Sequence, residues 1–217
     1  MEKQTIQPFL TVANYHLIEQ QLNKILNALA TSNDNNIIQA VRGIVDTEIT
    51  ANITMTTDET QLIEQLFSVT DRAQGEAYLV SLKPYVIPFK TVTASNIKSL
   101  FKKEKKFKLP ALEELDFQHI CFLAWDDLGT HRKYVIIEQD DKLKGIKGTI
   151  NNGTVKGICA ICNRHADVAL FTTSVKGKIV GTFTSHSNYI CADSQQCNQH
   201  VTDIHKTIEF FDRITQK

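Results

Sequence analysis

Four of the five cysteines of this 217-residue chain lie within 39 residues, as Cys159-Ala160-Ile161-Cys162 and then Cys191 and Cys197. A C-x2-C pair lets two thiolates reach one metal ion from a single tight turn. The second pair is spaced C-x5-C and opens the last helical segment. Four soft thiolates suit Zn²⁺ in tetrahedral coordination, and four protein ligands leave no open position for a catalytic water. The pattern therefore predicts a structural zinc site that builds a surface, through Cys159, Cys162, Cys191 and Cys197. Cys197-Asn198-Gln199-His200 has the x2 spacing too, so spacing leaves His200 open as a replacement for Cys191. The plainer reading is that these are small buried apolar side chains. A redox C-x-x-C would need a βαβ setting that the sequence lacks. Cys121, in His119-Ile120-Cys121-Phe122-Leu123, reads as a buried strand residue.

The elements that must position these cysteines follow from the periodicity. After Pro110 the pattern is of strands. His119 to Trp125 is a short apolar run, and Lys133 to Glu138 is rich in β-branched residues. Asp140-Asp141-Lys142 turns the chain, Lys144 to Ile150 returns it, and Val155 to Ile158 leads into the first cysteine pair. A second hairpin is predicted from Val168–Thr172 and Ile179–Thr184 around Lys176-Gly177-Lys178. Tyr189-Ile190 delivers Cys191, and a helix runs from Ser194 to Ile214. A knuckle, a hairpin and a helix whose first turn carries the second ligand pair is treble-clef order. One metal would pin the helix to the knuckle and hold a small β-rich module folded.

Ahead of this lies a helical half. Ile18, Leu22, Ile25 and Leu29 give residues 10–30 one apolar side, and Ile37, Val41, Ile44 and Val45 do the same for a second helix. Thr56-x-x-Glu59 is a capping-box pattern ahead of Leu62, Ile63, Leu66 and Phe67. Asp71 opens a fourth helix with Ala77, Tyr78 and Leu82. The fold class is thus α+β: a four-helix bundle over residues 1–85, then a zinc-binding unit over residues 90–217, with the stiff Pro84–Pro88 stretch between them. His16 has no ligand pattern around it.

The formal net charge of zero hides an asymmetry. Residues 1–89 hold 5 Lys+Arg against 10 Asp+Glu, and residues 90–217 hold the remaining 19 against 14, so the halves carry −5 and +5. The basic half suits an acidic partner. Asn96 to Lys108 is predicted helical and carries Lys98, Lys102, Lys103, Lys105, Lys106 and Lys108 against Glu104. A solvated helix face is the plain reading, and contact with ribosomal RNA through Lys102, Lys103, Lys105 and Lys106 is the sharper one. No apolar run approaches a membrane span, no signal-peptide pattern opens the chain, and five cysteines form no disulfide framework, so a reducing cytoplasm is expected; a monomer is the expected state. No G-x-x-x-x-G-K-[ST], H-E-x-x-H or G-x-S-x-G occurs, and no H-x-E precedes the cysteines, so the sequence carries no enzyme motif of those classes.

The runs Phe101 to Pro110, Arg132 to Ile136, Val155 to Asn163, Tyr189 to Ser194 and Cys197 to Ile204 together resemble the FusB-type fusidic-acid-resistance proteins, also described as elongation factor G-binding proteins. The resemblance implies a helical bundle, a treble-clef domain holding zinc through four cysteines, and hence Cys191 rather than His200. It implies binding of elongation factor G and its release from ribosomes stalled by fusidic acid. The alternative is an RNA-binding zinc module of the translation apparatus. The partner surface it implies lies beside the zinc site and includes Tyr189 and Phe210. Ile158 stands where the family has an aromatic residue, and His186 where it has a lysine.

Overall fold

The computed structural model describes residues 6–104, 107–177, 179 and 181–216. The chain divides into two compact units, Met1–Ile87 and Pro88–Lys217.

The first unit is helical. Strand β1 (Leu10–Thr11) runs into α1 (Val12–Thr31), followed by α2 (Asn35–Asn52), α3 (Thr57–Glu64), α4 (Arg72–Leu82) and β2 (Val86–Ile87). Each helix begins at a side chain that satisfies an otherwise orphaned N–H: Thr11 for α1, Asp34 for α2, Thr56 with Glu59 as a full capping box for α3, and Asp71 for α4. Ile18, Leu22 and Ile25 of α1 are buried, and α1 packs on α2 and α4. Of the residues expected on the apolar side of α4, Ala77 is exposed, and Gly75 is the close-approach residue. A Cβ there would meet the methyls of Leu26 and Leu22 at 3.2 and 3.3 Å. Tyr78 is buried and donates to the Ile63 carbonyl at 3.0 Å, which ties α4 to α3. The stripe expected on α2 enters the core only in its second half. Val45 and Ile49 are buried, while Ile37 and Ile44 are about half exposed. The Pro84–Phe89 stretch is more than a spacer. It contributes β2, which pairs in parallel with β1 through Leu10–Val86 and Thr11–Ile87.

The second unit opens with α5 (Ala94–Leu100) and continues through β3 (Leu123–Asp127), β4 (Arg132–Gln139), β5 (Lys142–Ile150), β6 (Val155–Ile158), β7 (His165–Lys176), β8 (Phe183–Cys191), α6 (Ser194–His200) and α7 (Ile204–Thr215). The six strands form one antiparallel sheet, in the order β3-β4-β5-β7-β6 with β8 also paired to β7. Asp140 and Asp141 both adopt positive φ, the two-residue turn whose twist suits a tight hairpin. Gly148 lets β5 approach β7. A Cβ there would meet the Thr172 carbonyl at 2.5 Å and the Phe171 ring at 2.6 Å.

Three expectations for this unit are corrected. The lysine-rich helix ends at Leu100, not Lys108. Phe101 and Phe107 both pack on Tyr134, at 5.0 and 5.3 Å between ring centroids. Six residues along a helix would set them about 120° apart, so the chain leaves the helix to bring both rings onto Tyr134, with Phe101 buried and Phe107 partly buried. Glu104 fixes the departure by pairing with Arg132 and Lys147. The Lys147 hydrogen bond chiefly, with Arg132 adding, holds its carboxyl below the ordinary range. Lys102 and Lys103 are exposed here; Lys105 and Lys106 lie outside the described residues. Second, β7 reaches further than expected and its partner strand starts later, at Phe183 rather than Ile179, so Ile179 falls in the exposed connection between β7 and β8. Third, the final helix is two helices. Val201 is buried, and Asp203 starts α7 afresh by accepting from the His205 N–H at 2.9 Å. Cys121 is buried in the bend before β3, and burial pushes its thiol up to about 12.

Candidate metal centre

The four cysteines come from three places in the second unit. Cys159 and Cys162 occupy the turn between β6 and β7, Cys191 ends β8, and Cys197 lies in the first turn of α6. The turn closes on itself. The Asn163 N–H donates to the Cys159 carbonyl at 2.9 Å, the Cys159 N–H donates to the Arg164 carbonyl at 3.0 Å, and Asn163 takes φ 55°. Asparagine tolerates that left-handed conformation better than most residues. Cys197 is placed by Asp193, whose carboxylate accepts from the N–H groups of Gln195 and Gln196 at 2.8 and 3.1 Å.

All four sulfur atoms lie within 4.8 Å of one another and all four residues are buried. Cys159 Sγ is 3.6 Å from Cys197 Sγ, and Cys162 Sγ is 3.7 Å from Cys191 Sγ. Four tetrahedral ligands at the usual zinc–sulfur length would sit about 3.8 Å apart, so this donor set fits zinc in both chemistry and size. Cys159 Sγ also accepts from the N–H groups of Ile161 and Cys191, at 3.4 and 3.2 Å. Such bonds offset thiolate charge and orient the sulfur. Thiols this close cannot all ionise alone. Hydrogen bonding with Cys162, then Cys191 and Cys197, draws Cys159 down, and hydrogen bonding with Cys159, Cys162 and Cys191 pushes Cys197 up. A divalent cation removes that conflict. Among the described residues these four cysteines are the one group able to hold a metal, and His200 is not in it.

Two residues behind the centre were not singled out from the sequence. Asn198, next to Cys197, is buried, and its side chain makes four hydrogen bonds. It accepts from the Cys121 and Phe122 N–H groups at 2.7 and 3.1 Å, and donates to the Phe122 and Ser194 carbonyls at 3.0 and 3.2 Å. That uses its whole donor and acceptor capacity. Lys133, with a side chain 1% exposed, pairs with Asp126 at 2.9 Å and donates to Ser194 Oγ and the Ala192 carbonyl at 2.7 and 3.3 Å. Together they fasten α6 to the β3–β4 edge. The only sequence signal was a polar residue beside a ligand cysteine and a lysine inside a β-branched run. Asn198→Ala would orphan two buried N–H groups, so it is expected to lower the free energy of unfolding by about 2–3 kcal/mol. Urea denaturation of the zinc-loaded protein measures this.

The candidate partner residues separate. Tyr189 is 47% exposed on β8, and its carbonyl accepts from the Ala160 N–H of the metal turn at 2.8 Å. Ile158, 64% exposed, flanks the same turn. His186 is half-buried, with Nε2 3.0 Å from the Gln216 carbonyl, which places the ring proton on that nitrogen. Phe210 is fully buried and packs on Phe171 with ring centroids 6.5 Å apart. The expectation that Phe210 lies on a partner surface is therefore corrected. Helix α7 lies against β4, β7 and β8, and its two adjacent phenylalanines both turn into that packing.

The sequence matches the family model described as "Elongation factor G-binding protein, N-terminal" over residues 9–90, and the one described as "FBP C-terminal treble-clef zinc-finger" over residues 92–213. Among solved structures it is similar to the fusidic acid resistance protein FusC, with 31% identity, a TM-score of 0.81, and coverage of 98% of this chain and 100% of that one. No curated protein sequence matches it. No described helix is long and apolar enough to cross a membrane. The metal of the second unit is zinc, and the chain belongs to the FusB-type family of elongation factor G-binding, fusidic-acid-resistance proteins.

Proposed function

We propose that this protein binds elongation factor G in the cytoplasm, as a monomer, through the surface around Tyr189, and promotes the factor's release from ribosomes stalled by fusidic acid. The observation that carries the reading is the match to this family across both units, with Tyr189 exposed directly beside the metal turn. Cys159, Cys162, Cys191 and Cys197 hold the zinc, which stiffens that surface before the partner arrives and so lowers the entropy cost of binding. The net charge of +5 on residues 90–217 suits an acidic partner face. No covalent chemistry is required. Binding one state of the factor more tightly than another shifts its population, and the differential affinity drives release.

Calorimetric titration with purified elongation factor G tests the reading. Wild-type protein should form a complex, and Tyr189→Ala should weaken it by about 1–3 kcal/mol, the cost of truncating an aromatic anchor. Ile158→Phe together with His186→Lys, which restore the family's residues, should tighten it. No complex at tens of micromolar protein, a concentration at which even weak specific binding registers, would reject the reading. A second reading, an RNA contact, draws on Lys102 and Lys103, which line a cavity of about 280 Å³ with Lys147. Affinity for ribosomal RNA that falls steeply with salt would favour it.

A further inference from the structure

Among the described residues, strand β8 has one partner only. It pairs with β7 from Phe183–Lys176 to Cys191–Val168, whereas the other edge of β7 takes β6 and β5. The outer edge of β8 is covered at the metal end, where the Ala160 N–H reaches the Tyr189 carbonyl and the Cys191 N–H reaches Cys159 Sγ. Those two contacts fix which residues face outward. Backbone polar groups alternate along a strand in an antiparallel pair, so Phe183, Ser185 and Ser187 turn their N–H and C=O groups away from β7, as does the Tyr189 N–H. Among the described residues none of these outward groups has a hydrogen-bond partner. The neighbouring hydroxyls are already engaged across the hairpin, Ser187 with Thr172 at 2.8 Å and Ser185 with Ser174 at 3.2 Å.

Proteins normally protect such an edge with lysines, prolines, bulges or very short strands. The run Phe183-Thr-Ser-His-Ser-Asn-Tyr-Ile190 has no proline and no Lys, Arg, Asp or Glu. It also carries exposed aromatic side chains at both ends, Phe183 at 65% and Tyr189 at 47%. By contrast, the strands at the two ends of the five-strand path are short and charged: β3 has five residues with Asp126 and Asp127, and β6 has four with Lys156.

We propose that β8 is a strand-addition site, where an extended segment of the protein partner pairs with the open edge from Phe183 to Tyr189 and lays apolar side chains against those two rings. The chemistry selects an extended backbone, because open N–H and C=O groups repeating about every 6.8 Å match another strand and nothing else so well. The site is continuous with the Tyr189 surface, so the inference rests on the proposed binding of elongation factor G and specifies how it occurs. A second copy of this chain is the poorer occupant. Pairing over about five residues covers roughly a few hundred Å², far below the 1,200 Å² or so of a stable dimer. A segment of a larger partner needs the edge to supply only part of its interface.

Ser187→Pro tests this. Proline removes the outward N–H while leaving the groups that bond to β7 on the neighbouring residues, a placement edge strands tolerate. Zinc content and melting should stay as in wild type, while affinity for elongation factor G in calorimetry falls by about tenfold or more. Amide exchange provides the second measurement on the unsubstituted protein. The Ser185 and Ser187 amides should exchange quickly when free and become protected in the complex. Wild-type binding with those amides unprotected overturns the strand-addition site and leaves the proposed partner standing, as does a folded Ser187→Pro that binds normally. If wild-type protein binds no elongation factor G, both inferences fall. Self-association abolished by Ser187→Pro would assign the edge to a second copy and overturn the proposal as stated.

Discussion

Cys159→Ser should abolish zinc binding and, with it, the cooperative unfolding transition of the second unit. Cys159 is the hub of the centre. Its residue is fully buried, its sulfur lies 3.6 Å from that of Cys197, and it accepts N–H groups from both the turn and the end of β8. Serine offers a shorter, harder oxygen that cannot stay ionised near neutral pH, so the tetrahedral set loses a ligand and keeps its crowding. Structural zinc sites bind with apparent free energies of about 10–16 kcal/mol, and a typical domain is stable by only about 5–15 kcal/mol. Losing most of the first term is enough to unfold the module that depends on it. The expected result is a drop from about one zinc per chain to near none, as the closed four-ligand site implies. His200→Ala, which leaves the sulfur cluster intact, should keep the metal. We propose in addition that residues 1–85 and 90–217 are separately folding domains. Residues 90–217 expressed alone should then show the same zinc-dependent transition, and the helical part should melt unchanged in the Cys159→Ser protein. Zinc retained by Cys159→Ser, or lost by His200→Ala, would mean a different ligand set.

What could be read from the sequence was what repeats or caps locally. Ile18, Leu22 and Ile25 enter the core of the first unit as their spacing predicts, and the Thr56–Glu59 capping box forms. The cysteine spacings fold into a four-sulfur group because each pair sits on a turn or strand end that local chemistry specifies: Asn163 at positive φ in one case, the Asp193 cap in the other. What was not legible depends on partners distant in sequence. The early end of α5 follows from Phe101 and Phe107 reaching Tyr134, and from Glu104 meeting Lys147 forty-three residues later. Helical propensity cannot see that competition. Asn198 and Lys133 belong to the same class, since their value lies in Cys121, Phe122, Ala192 and Ser194 being brought to them. The β1–β2 pair needs both ends of the first unit to meet, which no local pattern announces. The identity of the residue at 210 was legible; its orientation was not. In Glu209-Phe210-Phe211-Asp212, either ring could face solvent until the sheet under α7 is known, and the structure buries both.

That burial separates two substitutions that would otherwise look alike. Phe210→Ala should destabilise the second unit by about 3–5 kcal/mol, the usual cost of truncating a fully buried phenylalanine. The residue is 0% exposed and its ring rests on that of Phe171, so truncation leaves a cavity between α7 and the sheet. Thr207, also fully buried one turn earlier on the same face, carries a hydroxyl with no hydrogen-bond partner among the described residues. Any weakening of partner binding should therefore track loss of folded protein. In chemical denaturation the midpoint for Phe210→Ala should fall sharply, and the fraction that remains folded should bind elongation factor G as tightly as wild type does. Tyr189→Ala should behave in the opposite way. Its ring is half exposed and its backbone bond to Ala160 survives the change, so stability should move by less than about 1 kcal/mol while affinity drops. A folded Phe210→Ala that had lost affinity with its denaturation midpoint unchanged would mean that the ring turns outward to meet the partner, and that α7 rearranges when the complex forms.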